Sequence, residues 1–153
     1  MERLPYIDAH GVEVTADVEA TWRAVVRVAR QAFDGGPRLG PAPSLLARVL
    51  GARPSRAAGT WAPDPAPGAA LPGFAVDRVQ PAQLLSLRGV HRFSRYRLDF
   101  EVAPAGPGRS QVWARTWAEF PGPAGAAYRA LVVGSGGHRL VVRRLLRRIA
   151  TLA

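Results

Sequence analysis

No cysteine, lysine or asparagine occurs in the 153 residues. Without cysteine, disulfides, thiolate metal sites and thiol nucleophiles are excluded together. Without lysine, a phosphate-binding P-loop lacks its cation. No stretch approaches the ~18–20 consecutive apolar residues that span a bilayer, and Met1-Glu2-Arg3-Leu4-Pro5 opens no signal-peptide core. The expectation is a soluble, cytoplasmic protein. Acid is scarce, with 11 Asp and Glu against 21 basic residues, all of them Arg, for a net charge of +10. Isoleucine is confined to Ile7 and Ile149. That usage follows GC-rich coding, so the charge is discounted as evidence for an anionic partner.

Hydrophobic residues make up 48% and charged residues 21%, the balance of a folded domain. At roughly 100–200 residues per domain, residues 1–153 form one domain around one core. Eight Pro fall between Gly35 and Gly73, so 35–71 reads as a Pro/Gly/Ala-rich connector or lid with at most a short helix at Ser44–Leu50.

Outside that connector the patterning is regular. In Ile7–Thr15, Asp8, His10, Val12 and Val14 alternate with Ala9, Gly11 and Glu13, which predicts a strand. Asp17 then caps a helix in which Val18, Trp22, Val25, Ala29 and Phe33 share a face, with Trp22 assigned to the core. Phe74–Gln80, Gln83–Gly89, His91–Val102 and Arg109–Phe120 read as an antiparallel meander, with a turn at Pro104-Ala105-Gly106-Pro107-Gly108. Tyr96, Leu98, Phe100 and Val102 fall on one face; Arg95, Arg97, Asp99 and Glu101 fall on a wet one. In the next strand Val112, Ala114, Thr116, Ala118 and Phe120 share a face, and Trp113, Arg115, Trp117 and Glu119 the other.

From Ala124 to about Thr151 the spacing is helical, with a kink or restart at Gly134-Ser135-Gly136-Gly137. Val141, Val142, Leu145, Ile149 and Leu152 form an apolar arc opposite Arg139, Arg143, Arg144, Arg147 and Arg148. The whole predicts an α+β fold in which a curved antiparallel sheet wraps a long C-terminal helix.

Known chemistry signatures are missing. The Gly134–Gly137 run lacks the third glycine of a dinucleotide loop, and Ser135 sits in Gly-Ser-Gly rather than in a nucleophile elbow. His10, His91 and His138 stand apart in sequence without metal-ligand spacing, so no metal and no cofactor is expected. Tyr96 and Thr116 carry hydroxyls on apolar strand faces, where each needs a partner in the core or a ligand. His138 opens the basic helix and is a candidate proton-transfer group, as is Tyr96. Arg92 and Ser94 share the face of Tyr96 near its end, where Arg92 is placed to hold an anionic oxygen. The Trp113–Trp117 face reads as mutual packing or a homodimer contact. Nucleic acid is disfavoured there, because no RNP-like motif occurs and Asp99 and Glu101 interrupt the cationic surface. The Arg-rich helix face reads as solvated, with peripheral contact to an anionic membrane or contact to phosphate as the alternatives.

The order of Val12-Glu13-Val14-Thr15-Ala16-Asp17, Pro72-Gly73-Phe74, Gly89-Val90-His91-Arg92-Phe93-Ser94-Arg95-Tyr96, Phe120-Pro121-Gly122, Tyr128-Arg129-Ala130-Leu131 and Gly137-His138 resembles the START/Bet v 1-like (SRPBCC, helix-grip) superfamily. The resemblance is to an actinobacterial branch related to polyketide cyclase and lipid-transport proteins, and it covers most of the chain outside 35–71. It implies a cavity between sheet and closing helix for a small apolar ligand. Ser94, Tyr96, Leu98, Phe100, Thr116, Tyr128 and His138 are the expected lining, with Arg92 at the mouth. Two further readings stand beside binding alone. One is a polyketide cyclase/dehydratase-type enzyme with His138, Tyr96 and Arg92 as catalytic candidates; the other is an Arg-rich binder of anionic surfaces.

Overall fold

A computed structural model describes residues 4–33, 64–71, 73–91 and 93–153. The expected helix at Ser44–Leu50, most of the 35–71 connector and Arg92 lie outside the described residues.

Strand β1 (Tyr6–Val14) leads into helix α1 (Val18–Phe33). The carboxylate of Asp17 accepts the Ala20 N–H at 2.7 Å, capping the first turn of α1. The short β2 (Ala70–Leu71) is followed by β3 (Phe74–Gln80), β4 (Leu84–His91), β5 (Ser94–Gly106) and β6 (Arg109–Glu119). Helix α2 (Gly122–Arg129) continues into a π-helical turn, Ala130–Gly134, and the chain closes with α3 (Gly137–Leu152). The strands form one antiparallel six-stranded sheet in the order β1-β6-β5-β4-β3-β2, so the first strand pairs with the last.

Several strand boundaries differ from the sequence expectation. Strand β4 runs on to His91 and β5 starts at Ser94, later than the predicted break. The five-residue turn at 104–108 shrinks, because β5 stays paired through Pro104 and Gly106 opposite Ser110 and Arg109. Only Pro107 and Gly108 turn. Pro104 has no N–H to give the ladder, and the register shifts between Pro104 and Gly106.

Period-two alternation sorts the sheet into two faces. Val14, Val76, Leu85, Leu87, Leu98, Phe100, Val102, Val112 and Ala114 enter a core completed by Trp22, Val25, Val28 and Ala29 of α1 and by Val142, Leu145, Leu146 and Ile149 of α3. The buried stripe of α3 therefore includes Leu146, which the predicted arc omitted, whereas Leu152 is exposed. Helix α3 packs against both α1 and β1, which widens the face it must bury.

The opposite face is charged and aromatic. The Arg97 guanidinium lies 3.9 Å from the Trp117 ring centre, and the Arg115 Nε–H donates to Glu101 at 3.1 Å. Asp99, expected to be wet, is only 3% exposed. It accepts a 2.6 Å hydrogen bond from the Ser86 hydroxyl and faces Arg97 at 3.4 Å and Arg78 at 3.9 Å. These long arginine side chains cover the sheet with their stems, which is why an acid on the outer face is buried. Burial raises the Asp99 carboxyl above its ordinary value, opposed by the Ser86 bond and the two arginines.

Candidate functional site

The site is built where the first strand, the last strand and the start of the closing helix meet. Register places Asp8 opposite Thr116 and His10 opposite Ala114, with both β1 side chains on the same face as Val12 and Val14. Tyr96 pairs with Ala118 on the neighbouring strand, one step along from Thr116, which pairs with Leu98. A large phenol opposite alanine has room to lie along the sheet.

Helix α3 is aimed at this spot by its restart. Gly136 takes the left-handed conformation, φ +76°, where a side chain would be strained. The Ser135 hydroxyl donates to the Leu131 carbonyl and accepts the Gly137 N–H at 3.3 Å, while the Gly136 N–H donates to the Val133 carbonyl at 3.2 Å. These turn amides are thus satisfied within the turn rather than held out to an anion. The first turn of α3 then drops His138 onto the sheet.

His138 is 7% exposed and hydrogen-bonded on both ring nitrogens. Its Nε2 lies 3.2 Å from Asp8 Oδ1 and 3.2 Å from Thr116 Oγ1. An ionised carboxylate can only accept, so Nε2 carries the hydrogen. The Tyr96 hydroxyl lies 2.8 Å from Nδ1, the nitrogen left to accept, and 3.4 Å from Nε2. The second Asp8 oxygen, Oδ2, faces His10 Nε2 at 3.1 Å, with Asp8 and His10 both 15% exposed. The result is an ordered chain, Tyr96–His138–Asp8–His10, running from the middle of the sheet to its edge. Each Asp8 oxygen is taken by one imidazole, and among the described residues no group of His, Asp and Glu is arranged to hold a metal ion.

Electrostatics follow the burial. Loss of solvent lowers His138 below the ordinary histidine value, against the opposing pull of Asp8; His10 and Arg139 push in the same direction as burial. The imidazole is therefore neutral at pH 7. Burial also drives the Tyr96 phenol well above its ordinary value, with Thr116 opposing and Asp8 and Tyr128 reinforcing. Tyr128 itself is pushed up to about 12 by burial.

Half-buried rings surround this array. Phe74 meets Tyr96 edge-on at 6.0 Å, and Tyr96 meets His138 edge-on at 5.7 Å. Gly89 admits the first of these contacts, because a Cβ there would fall 2.9 Å from the Phe74 ring and 2.8 Å from the Gly73 carbonyl oxygen. Tyr128 of α2 lies between Phe93 at 6.4 Å and Phe120 at 5.8 Å.

Of the residues singled out in the sequence, Tyr96, Thr116 and His138 are brought into contact. Ser94 is buried two positions before Tyr96 on the same strand, and Tyr128 sits in the aromatic group on α2. Leu98 and Phe100 are packed in the hydrophobic core. Arg139, Arg143, Arg144 and Arg147 are exposed, whereas Arg148 is partly buried and donates to Gln31 of α1 at 3.0 Å. Sequence reasoning gave no role to Asp8 and His10. Their signal was two polar side chains on the apolar face of the opening strand, a costly placement unless they are partnered.

The chain matches no protein-family model and no curated protein sequence. Its fold does have relatives among solved structures. A truncated norcoclaurine synthase from Thalictrum flavum superposes with a TM-score of 0.59 and 13% identity, covering 99% of this chain and 97% of that one. A second structure of norcoclaurine synthase from Thalictrum flavum gives 0.55 and 16%, covering 95% and 84%. DynU16, from the dynemicin biosynthetic locus, gives 0.51 and 19%, covering 94% of this chain and 46% of that one. The chain thus spans about half the length of DynU16. The architecture is the helix-grip, Bet v 1-like α+β fold. No helix among the described residues is long and apolar enough to cross a membrane.

Proposed function

We propose that the chain binds a small hydrophobic or aromatic molecule, lipid- or polyketide-like, between the inner face of the sheet and the first turn of α3. The observation that carries this reading is the Tyr96–His138 pair, a polar anchor bonded at 2.8 Å with the half-buried Phe74 ring edge-on to Tyr96. Sites for small molecules combine such an apolar lining with a few fixed polar groups. Burial of the ligand's apolar surface drives binding at roughly 25 cal/mol per Å², and the anchors set its orientation. Tyr96, Thr116, His138, Ser94 and Tyr128 contact the ligand; Leu98 and Phe100 form the packed floor beneath it. The fold relatives support a ligand-holding architecture but supply no chemistry of their own.

Native mass spectrometry of protein purified from its own host, followed by denaturing extraction, tests the reading. A stoichiometric apolar or aromatic molecule is the expected result. An empty protein that shows no thermal shift across a panel of lipids and polyketides overturns it.

A further inference from the structure

We propose that the outer faces of α1 and α3 form a docking surface for an anionic phospholipid bilayer, with both helices lying on the headgroups. The proposal stands on this surface alone and does not depend on what the inner site binds.

GC-rich coding raises arginine everywhere, so the information lies in where the arginines are matched by acids. On the sheet they are matched. Arg78 and Arg88 face Asp77 at 3.9 and 3.8 Å, Arg97 faces Asp99 at 3.4 Å, Arg109 faces Glu13 at 3.2 Å and Arg115 faces Glu101 at 3.1 Å. The helix layer differs. Arg23, Arg27 and Arg30 recur along the exposed stripe of α1, and Arg139, Arg143, Arg144 and Arg147 along that of α3. Among the described residues, none of these seven is ion-paired with a carboxylate. Glu19 is the sole acid in either helix, and residues 120–153 hold no Asp or Glu at all. The two helices pack together and are tied by the Arg148–Gln31 bond at 3.0 Å. Their stripes therefore add into one layer of like charge, which repels itself until an anionic partner neutralises it.

The apolar side chains set among these charges select the partner. Leu140 is 49% exposed, with Arg139 beside it and Arg143 and Arg144 one turn further on. Leu131, in the π-helical turn before α3, is 61% exposed. A leucine inside a cationic stripe gains by entering the boundary between headgroups and acyl chains, and the guanidinium groups suit the lipid phosphates. Nucleic acid is the poorer fit, because α3 contains no Phe, Tyr or Trp and Trp22 of α1 is buried, which leaves no ring to stack on bases. Val142, Leu145, Leu146 and Ile149 are committed to the core, so α3 rests on the bilayer rather than sinking into it.

Co-sedimentation of the full chain with phosphatidylcholine vesicles, with and without phosphatidylglycerol, tests the proposal. Binding is expected only where phosphatidylglycerol is present, and it should weaken as salt is raised. Arg139→Gln, Arg143→Gln and Arg147→Gln together should weaken it ~10²-fold, about fivefold for each arginine, and Arg23→Gln, Arg27→Gln and Arg30→Gln together by a similar factor. Arg78→Gln, Arg88→Gln and Arg109→Gln remove the same net charge from the sheet and should change binding by less than ~3-fold, since screening confines the effect to charges near the lipid. Leu140→Ser should weaken vesicle binding ~3-fold, the share of a half-exposed leucine. Urea midpoints matching wild type identify the variants that are folded, and the salt dependence of wild type needs no variant. No binding to the anionic vesicles, equal loss in the sheet variant, or retained binding in either helix variant overturns the proposal. So does tighter binding to a DNA duplex than to vesicles, with no effect of Leu140→Ser on either.

Discussion

Phe100→Ala is expected to cost about 3–5 kcal/mol, the range for removing a fully enclosed phenylalanine. The ring is 0% exposed and lies between Leu85 of β4 and Ala114 of β6, with α1 and α3 closing the core above the sheet. Ala114 is too small to fill the space a truncated neighbour leaves. Against a total stability of about 5–15 kcal/mol, the variant should be barely folded at 37 °C. Urea unfolding at 25 °C measures the loss. A loss below ~1 kcal/mol would mean that the ring borders empty space, and that the ligand site extends further toward the middle of the sheet than its packing indicates.

The second large effect is on pH. The unfolded chain protonates His138 near the ordinary value of ~6.5, whereas the folded protein resists protonation to lower pH because the ring is buried. In the window between those values the unfolded state binds more protons. Stability therefore falls as pH drops through 6.5 toward the folded value, and it is fully present above 6.5. Asp99 works with the opposite sign. Its raised carboxyl makes stability fall as pH rises from the ordinary aspartate value to the folded one. Urea midpoints between about pH 4 and 8 separate the two when wild type is compared with His138→Gln. The variant should lose the acid-side slope assigned to His138 and keep that of Asp99. Identical pH profiles for the two proteins would show that His138 titrates freely, and the buried array would have to be discarded.

How much of this was legible in the chain depends on the distance over which residues cooperate. The faces of β5 and β6 follow from alternation within a dozen residues, and the structure keeps them: Tyr96, Leu98, Phe100, Thr116 and Ala118 are all on the inner side. The restart before α3 was equally readable, because Gly134–Gly137 punctuates a helical pattern. The turn at 104–108 was misjudged because Pro and Gly were weighed as breakers, whereas the ladder between β5 and β6 holds them in register. Asp8 and His10 had the right face and no assigned purpose. Their partner His138 lies far along the chain, and only the pairing of β1 with β6 brings the two ends together. Burial of Asp99 was hidden for a related reason, since it depends on Arg78 and Arg97 folding over the sheet.

Long-range nitrogen–proton NMR of the histidines, recorded with and without 2-naphthol as an aromatic probe, tests the central claim that Tyr96, His138 and Asp8 are a built ligand anchor. The account predicts a neutral His138 at pH 7 with a pyrrole-type Nε2 and a pyridine-type Nδ1, and saturable changes at His138 and the Tyr96 ring as 2-naphthol is added. A His138 that interconverts between tautomers, titrates near 6.5 and does not respond to the probe would contradict it.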